Sequence, residues 1–172
     1  MKPIQVLALA LLSLPLAAAE RPPFYLAAGV SDFDKSIRDM TNRYPWTVAL
    51  GWGETEAALF GAPSIDLEWA HASGRGNKFD SYGVTYNERA MISDSLYFGL
   101  GVGSYYNRID ATADDGTVYN GSKWYPAARG MLGLNLGGGH FGAFFTELAY
   151  TYRGKVEGLD ANSFSLVLGL WF

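Results

Sequence analysis

The last nine residues of the chain constrain its fold more than any other segment. Phe164, Leu166, Leu168, Leu170 and Phe172 are large and apolar, and Ser165, Val167, Gly169 and Trp171 alternate with them. A period of two belongs to a β-strand, whose successive side chains point to opposite faces. One face of this strand is therefore apolar along its whole length. In water that face would need a cover. Hydrocarbon against the face, with the final ring at the membrane–water interface, accounts for the pattern without one.

The same alternation recurs at residues 24–31, 46–54, 64–73, 79–87, 96–109, 124–136, 141–153 and 163–172, with turn residues between. Eight antiparallel strands of about ten residues, tilted about 45°, would each span a bilayer core. One face carries bulk: Trp46, Val48, Leu50 and Trp52, then Ile65, Leu67 and Trp69, then Tyr82, Val84 and Tyr86. Phe98, Leu100, Val102, Leu132, Leu134, Leu148 and Tyr150 continue it. The other face collects Gly51, Asp66, Glu68, Gly83, Thr85, Gly99, Gly101, Arg129, Asn135 and Glu147.

This division decides between two kinds of barrel. A water-soluble ligand carrier puts apolar groups inside and polar groups outside. Here charge travels with small residues, which suits a cramped interior, and bulk travels with the apolar face. Each Leu or Phe sheltered from water gains roughly 1.5–3 kcal/mol, so the opposite assignment would lose tens of kcal/mol over so many positions. The expected fold is all-β, an eight-stranded antiparallel up-and-down transmembrane barrel. It must be closed, because an open sheet edge in hydrocarbon leaves backbone groups unsatisfied.

Residues 1–19 are expected to lie outside that barrel. Lys2, an apolar run from Ile4 to Leu16 and Ala17-Ala18-Ala19 have the form of a cleaved secretory signal peptide. The run is too short for a membrane helix, which needs about 20 apolar residues. Residues 20–172 then form one barrel domain. Cleavage takes one Lys and no acid from a chain of net charge −4, leaving −5, a balance that argues against nucleic acid as a partner. The absence of Cys excludes disulfides, thiolate catalysis and zinc–thiolate sites.

Loop lengths set an orientation. Residues 32–45, 74–78, 110–123 and 154–162 fall on one side and are mostly polar, as expected of the extracellular side. Residues 137–140 form a short turn on the opposite, periplasmic side; the turns at 55–63 and 88–95 are longer than such barrels favour. Tyr44, Trp46, Tyr106, Trp124 and Tyr152 above, with Phe24, Phe60, Phe141 and Phe172 below, mark expected interface girdles.

With these features the chain resembles the small outer-membrane β-barrels of the OmpA-like and OmpX-like kind. The resemblance covers residues 20–172 and rests on architecture and on the terminal strand. It implies an integral outer-membrane location in a Gram-negative-type envelope, contact with outer-membrane lipid and lipopolysaccharide, and no cofactor. In that family an ending like Phe164, Leu166, Leu168, Leu170 and Phe172 is the insertion signal read by the barrel assembly machinery.

Two constellations could carry chemistry. Asp66, Glu68, Arg129 and Glu147 lie on the inner face; strand rise of about 3.3 Å per residue brings Glu68, Arg129 and Glu147 to a similar level. An Arg129–Glu147 ion pair is expected, with Glu68 or Asp66 approaching across the lumen, as a structural network in preference to a gate. The second is His71 and Ser73 with Asp80 on the next strand, all turned outward. A base, a hydroxyl and an acid can make a nucleophile, and the trio faintly resembles that of outer-membrane lipid A deacylases of the PagL type. Those enzymes carry the pair in the closing part of the barrel and use Glu as the acid, whereas here it sits in the second hairpin with Asp. Polar residues flanking a tight loop are the plainer reading. His140 reads as a solvated turn residue and the acidic run 110–116 as a flexible loop, so no metal site is expected. Lys35, Arg38, Arg43 and Tyr44 read as a solvated first loop, with lipopolysaccharide phosphate as their alternative contact. The expected function is thus a non-enzymatic envelope or surface-interaction barrel with a plugged lumen; a lipid A-modifying enzyme and a narrow channel are the alternatives.

Overall fold

Alternation that continues from strand to strand can satisfy every backbone group only by closing on itself, and the chain does so. The computed structural model describes residues 24–41, 45–53, 62–136 and 144–172. The elements are β1 (Phe24–Phe33), helix α1 (Lys35–Thr41), β2 (Trp46–Gly53), β3 (Ala62–Gly74), β4 (Asn77–Met91), β5 (Leu96–Thr112) and β6 (Val118–Asn135). They continue with β7 (Phe144–Tyr152), the two-residue strands β8 (Lys155–Val156) and β9 (Leu159–Asp160), and β10 (Ser163–Trp171). β1 to β7 and β10 form a closed barrel, antiparallel throughout. The last strand pairs with the first, from Tyr25 opposite Trp171 to Phe33 opposite Ser163.

The faces divide as the alternation requires. Leu100 and Leu168 are 66% and 64% exposed on the exterior, whereas Arg153 and Glu147 in the interior are 0% and 2% exposed. Phe164, Leu166 and Leu170 are exposed on the exterior beside Leu168. Ser104 and Thr146 share the outward rows, and each hydroxyl donates to a backbone carbonyl, of Tyr125 and Val167, at 3.1 Å. That is how a hydroxyl is accommodated where water is scarce.

Four cross-strand pairs shape the interior. Gly51 lies opposite Tyr25, Gly83 opposite Tyr105, Gly133 opposite Tyr97 and Gly169 opposite Phe145. A Cβ on any of these glycines would collide with the partner's ring. The ring lies across the neighbouring strand where no side chain stands, so large aromatics fit a lumen only eight strands round.

The interior is layered. At one end Tyr25, Ala27, Ala49, Phe145 and Val167 pack together, with Trp171 against them. At the other end Phe33, Ala70, Ala72, Phe79 and Ile109 receive Ile37 and Met40 from α1. Asp34 starts the helix: its carbonyl accepts from the backbone N–H of Ile37 and Arg38 at 3.0 Å, and its carboxylate from that of Lys35 at 2.9 Å. Asn77 ties the helix down, donating to the carbonyls of Met40 at 3.0 Å and Thr112 at 3.1 Å. The charged side chains lie between these two apolar layers.

Four expectations change. Residues 110–123 are not a polar loop: the β5–β6 ladder continues to Thr112 opposite Val118, and the link is residues 113–117. Beyond the hydrocarbon the exterior has no reason to be apolar, so the hydropathy signal fades while backbone pairing persists. Residues 88–95 are not a long turn, since β4 runs to Met91 and carries Arg89 inward. The first loop is not merely solvated, because α1 buries Ile37, Met40 and Thr41. Residues 154–162 contain the β8–β9 hairpin. Between β3 and β4 the link is only Arg75-Gly76, both at positive φ, 52° and 85°. That is the two-residue hairpin turn whose second position favours Gly. The expected signal peptide at 1–19, Arg43, Tyr44, Phe60, Phe141, residues 137–140 with His140, and all but the last two residues of the 55–63 turn lie outside the described residues.

Candidate functional site

The interior charges converge because side chains of one parity on β3, β4, β6 and β7 point at a common axis. Arg129 lies opposite Thr151 in register, but its guanidinium reaches Glu147 Oε1 at 3.0 Å and Glu68 Oε2 at 2.9 Å. Arg89 donates through Nε to Glu147 Oε2 at 3.1 Å. Its remaining nitrogens reach Ser64 Oγ at 2.6 Å, Tyr25 Oη at 2.8 Å and Asp66 Oδ2 at 3.4 Å. Arg153, just past β7, donates to Glu68, to Ser81 Oγ at 3.0 Å and to Ser163 Oγ at 3.2 Å. Its guanidinium also stacks over the Tyr105 ring, 4.3 Å from the centroid. Tyr97 donates to Glu147 Oε2 at 3.0 Å.

Asp66, Glu68 and Glu147 thus face Arg89, Arg129 and Arg153, three charges against three. Burying one such ion unpaired costs several kcal/mol; here each carboxylate meets at least one guanidinium. The arrangement can hold the strands in register by tying β3, β4, β6 and β7 together across the lumen. Among the expected members Glu68, Arg129 and Glu147 touch directly, and Asp66 joins through Arg89. Arg89 was missed because residues 88–95 read as a turn, and Arg153 because it stands at the very end of the expected strand 141–153. Extending the parity of Thr85-Asn87 and of Glu147-Thr151 by two residues finds both.

The outward trio is only partly assembled. His71 Nδ1 lies 2.8 Å from Asp80 Oδ1 across the β3–β4 ladder. Trp69 Nε1 donates to the same oxygen at 3.2 Å. The His71 ring packs 5.5 Å from Trp46, which meets Trp69 edge-on at 4.4 Å. Asp80 therefore orients His71, leaving Nε2 free of hydrogen bonds among the described residues. Ser73 is half-buried, stands opposite Lys78, and makes no hydrogen bond to His71.

The loop residues are engaged locally. Arg38 pairs with Asp32 at 3.1 Å, both exposed. In the 113–117 link the Thr117 backbone N–H donates to Asp115 Oδ1 at 2.9 Å, which holds that carboxyl below its ordinary pKa. Arg75 lies 3.5 Å from Asp114.

No protein-family model and no curated protein matches the chain. Solved structures do match its fold. The attachment invasion locus protein Ail of Yersinia pestis is 15% identical, with a TM-score of 0.59 over 90% of this chain and 100% of that one. The N-terminal β-barrel domain of Pseudomonas aeruginosa OprF is 12% identical, with a TM-score of 0.57 over 89% of this chain and 100% of that domain. The outer-membrane enzyme PagL is 16% identical, with a TM-score of 0.50 over 85% and 98%. The fold is that of the small eight-stranded outer-membrane barrels, and it is shared by enzymes and non-enzymes.

Proposed function

We propose that this chain is an integral outer-membrane barrel of a Gram-negative-type envelope, with a structural or surface-interaction role exercised through its outer loops. In this reading residues 1–19 export it. The barrel assembly machinery recognises Phe164, Leu166, Leu168, Leu170 and Phe172, and lipid with lipopolysaccharide surrounds the barrel. One observation carries the reading: the exposed exterior is a continuous field of large apolar side chains, while the described residues bury three arginines and three acidic side chains inside. Only a solvent of acyl chains favours that inversion. The balanced charges between two apolar layers support a lumen closed to ions.

Membrane fractionation followed by gel mobility of unheated and boiled samples tests the location. The barrel should pellet with outer membranes and migrate faster unheated, and a chain found in the soluble fraction would refute the reading. Planar bilayers test the closed lumen, where steady unitary conductance would contradict it.

The His71–Asp80 contact favours a second reading, a lipid-modifying hydrolase with Ser73 as nucleophile. Mass spectrometry of lipid A from cells with wild type and Ser73→Ala decides it. Loss of an acyl chain with wild type alone would establish the enzyme.

A further inference from the structure

Following the strand pairing once around the barrel from Leu96 returns to β5 at Tyr106, so the rows climb ten residues over eight strands. Each step to the next strand therefore raises a register partner by about 1.25 residues along the strand direction. With that climb included, four inward residues on adjacent strands stand at one level: Thr151 on β7, Ser165 on β10, Ser31 on β1 and Thr47 on β2. Their spread is about 1.25 residues of strand, roughly 4 Å. Arg129 on β6 and Glu68 on β3 bound this arc at the same level, within about two residues of strand.

Each of the four is at most 3% exposed, and none of their hydroxyls has a hydrogen-bond partner among the described residues. Nε of Arg129, the register partner of Thr151, has none either. Elsewhere in the lumen the buried hydroxyls are engaged: Ser64 by Arg89, and Ser81 and Ser163 by Arg153. The difference follows from what each wall carries. All six charges stand on β3, β4, β6 and β7 or just past β7, whereas β10, β1 and β2 add no charged side chain to the network. Beside the arc the inward residues are Ala149, Gly29 and Ala49, too short to reach a hydroxyl across the lumen.

A buried hydroxyl without a partner loses the hydrogen bonds that water gave it in the unfolded chain. Folded proteins satisfy nearly all such groups, with protein atoms or with ordered water. The chemistry of the arc selects the occupant. An ion would add net charge to a lumen where three arginines already balance three carboxylates, and a buried unpaired charge is costly. An apolar molecule would leave the hydroxyls unserved. A neutral molecule that both donates and accepts matches hydroxyls that do the same. With apolar layers on either side of this level, size favours the smallest such molecule.

We propose that Ser31, Thr47, Thr151 and Ser165 bind a cluster of water molecules that links the seam between the first and last strands to the Arg129–Glu68 pair. The charge network is thus set in a hydrated internal chamber and not in a dry plug. The inference goes beyond the functional reading above and rests only on the closed barrel and its register.

The test is the sign of a stability change. Thr47→Val, Thr151→Val, Ser31→Ala and Ser165→Ala each remove a hydroxyl with little change of shape, and urea unfolding is followed in lipid vesicles. With water bound, each substitution removes one of its partners and should lower the folding constant about two- to ten-fold. Ser31 and Ser165 are register partners, so the double variant should lose less than the two single variants combined. Unchanged or raised midpoints for both threonine variants, the outcome for hydroxyls that hold nothing, would overturn the proposal. Diffraction from wild-type crystals, native and soaked in bromide or rubidium, needs no variant to fold. Density bridging at least two of the hydroxyls without anomalous signal would support water. An anomalous peak at the arc would assign an ion in its place, and hydroxyls contacted only by protein atoms would remove the site; either overturns the proposal.

Discussion

The inner and outer walls are made from the same strands, residue by residue in alternation, yet opposite physics holds them. Inside, Arg89, Arg129 and Arg153 are held by directional contacts to three carboxylates, and four aromatic rings lie across facing glycines. Outside, Leu100, Leu132, Leu148 and Leu168 make no directional contact and need only a solvent as apolar as themselves. The inner wall should therefore tolerate few changes of shape or charge, and the outer wall most changes of shape but few of polarity.

The sharpest way to break this contrast is inside. Arg129→Ala leaves Glu68 without one of its two guanidiniums and Glu147 likewise, and should cost on the order of 3–5 kcal/mol. Urea unfolding in lipid vesicles would show it as a lowered midpoint, and an unchanged midpoint would mean the network contributes little. Outside, Leu148→Arg places a charge in the middle of the apolar field and should cost about 2–4 kcal/mol, whereas Leu148→Val should be nearly silent in the same titration. If both behave alike, the exterior does not face lipid.

Steric change gives the next smaller effect. Gly133→Val drives a side chain into the Tyr97 ring and away from its bond to Glu147, with an expected loss of about 1–3 kcal/mol. Gly130, on the outer parity of the same strand, has open space around it, so Gly130→Val should lose far less. The smallest effect belongs to the loops. Arg38→Ala removes an exposed pair with Asp32 and should change stability by less than about 1 kcal/mol; a larger shift would assign α1 a bigger share of barrel stability.

Much of this was legible because alternation is a local property. Leu166, Leu168 and Leu170 announce a strand and its apolar face, and Asp66, Glu68 and Glu147 share the face of the glycines. What escaped reading lay where local signals conflict. Arg89 stands in residues 88–95, which read as a turn, and Arg153 is the last residue of the expected strand 141–153, where parity must be carried on from Thr151 to place it inside. Residues 110–112 and 118–123 look like loop because polar residues outside the membrane may occupy either face of a paired strand. Lys35–Thr41 is too short for a helical period to stand out, and its burial depends on Phe79 and Ile109 from distant strands. The outward trio was readable as residue types, but not the preference of Asp80 for Trp69 and His71 that leaves Ser73 aside.

The amino-acid order alone determined the strand count, the closed sheet and the wall that meets lipid, because a period of two acts within a few residues and an unpaired edge cannot survive in hydrocarbon. Tertiary structure decided which guanidinium meets which carboxylate, which ring lies over which glycine and how α1 caps one end of the barrel. Those contacts join residues far apart in the chain, 85 positions between Glu68 and Arg153 and 124 between Ser36 and Asp160, and their geometry exists only once closure has set the stagger of the strands.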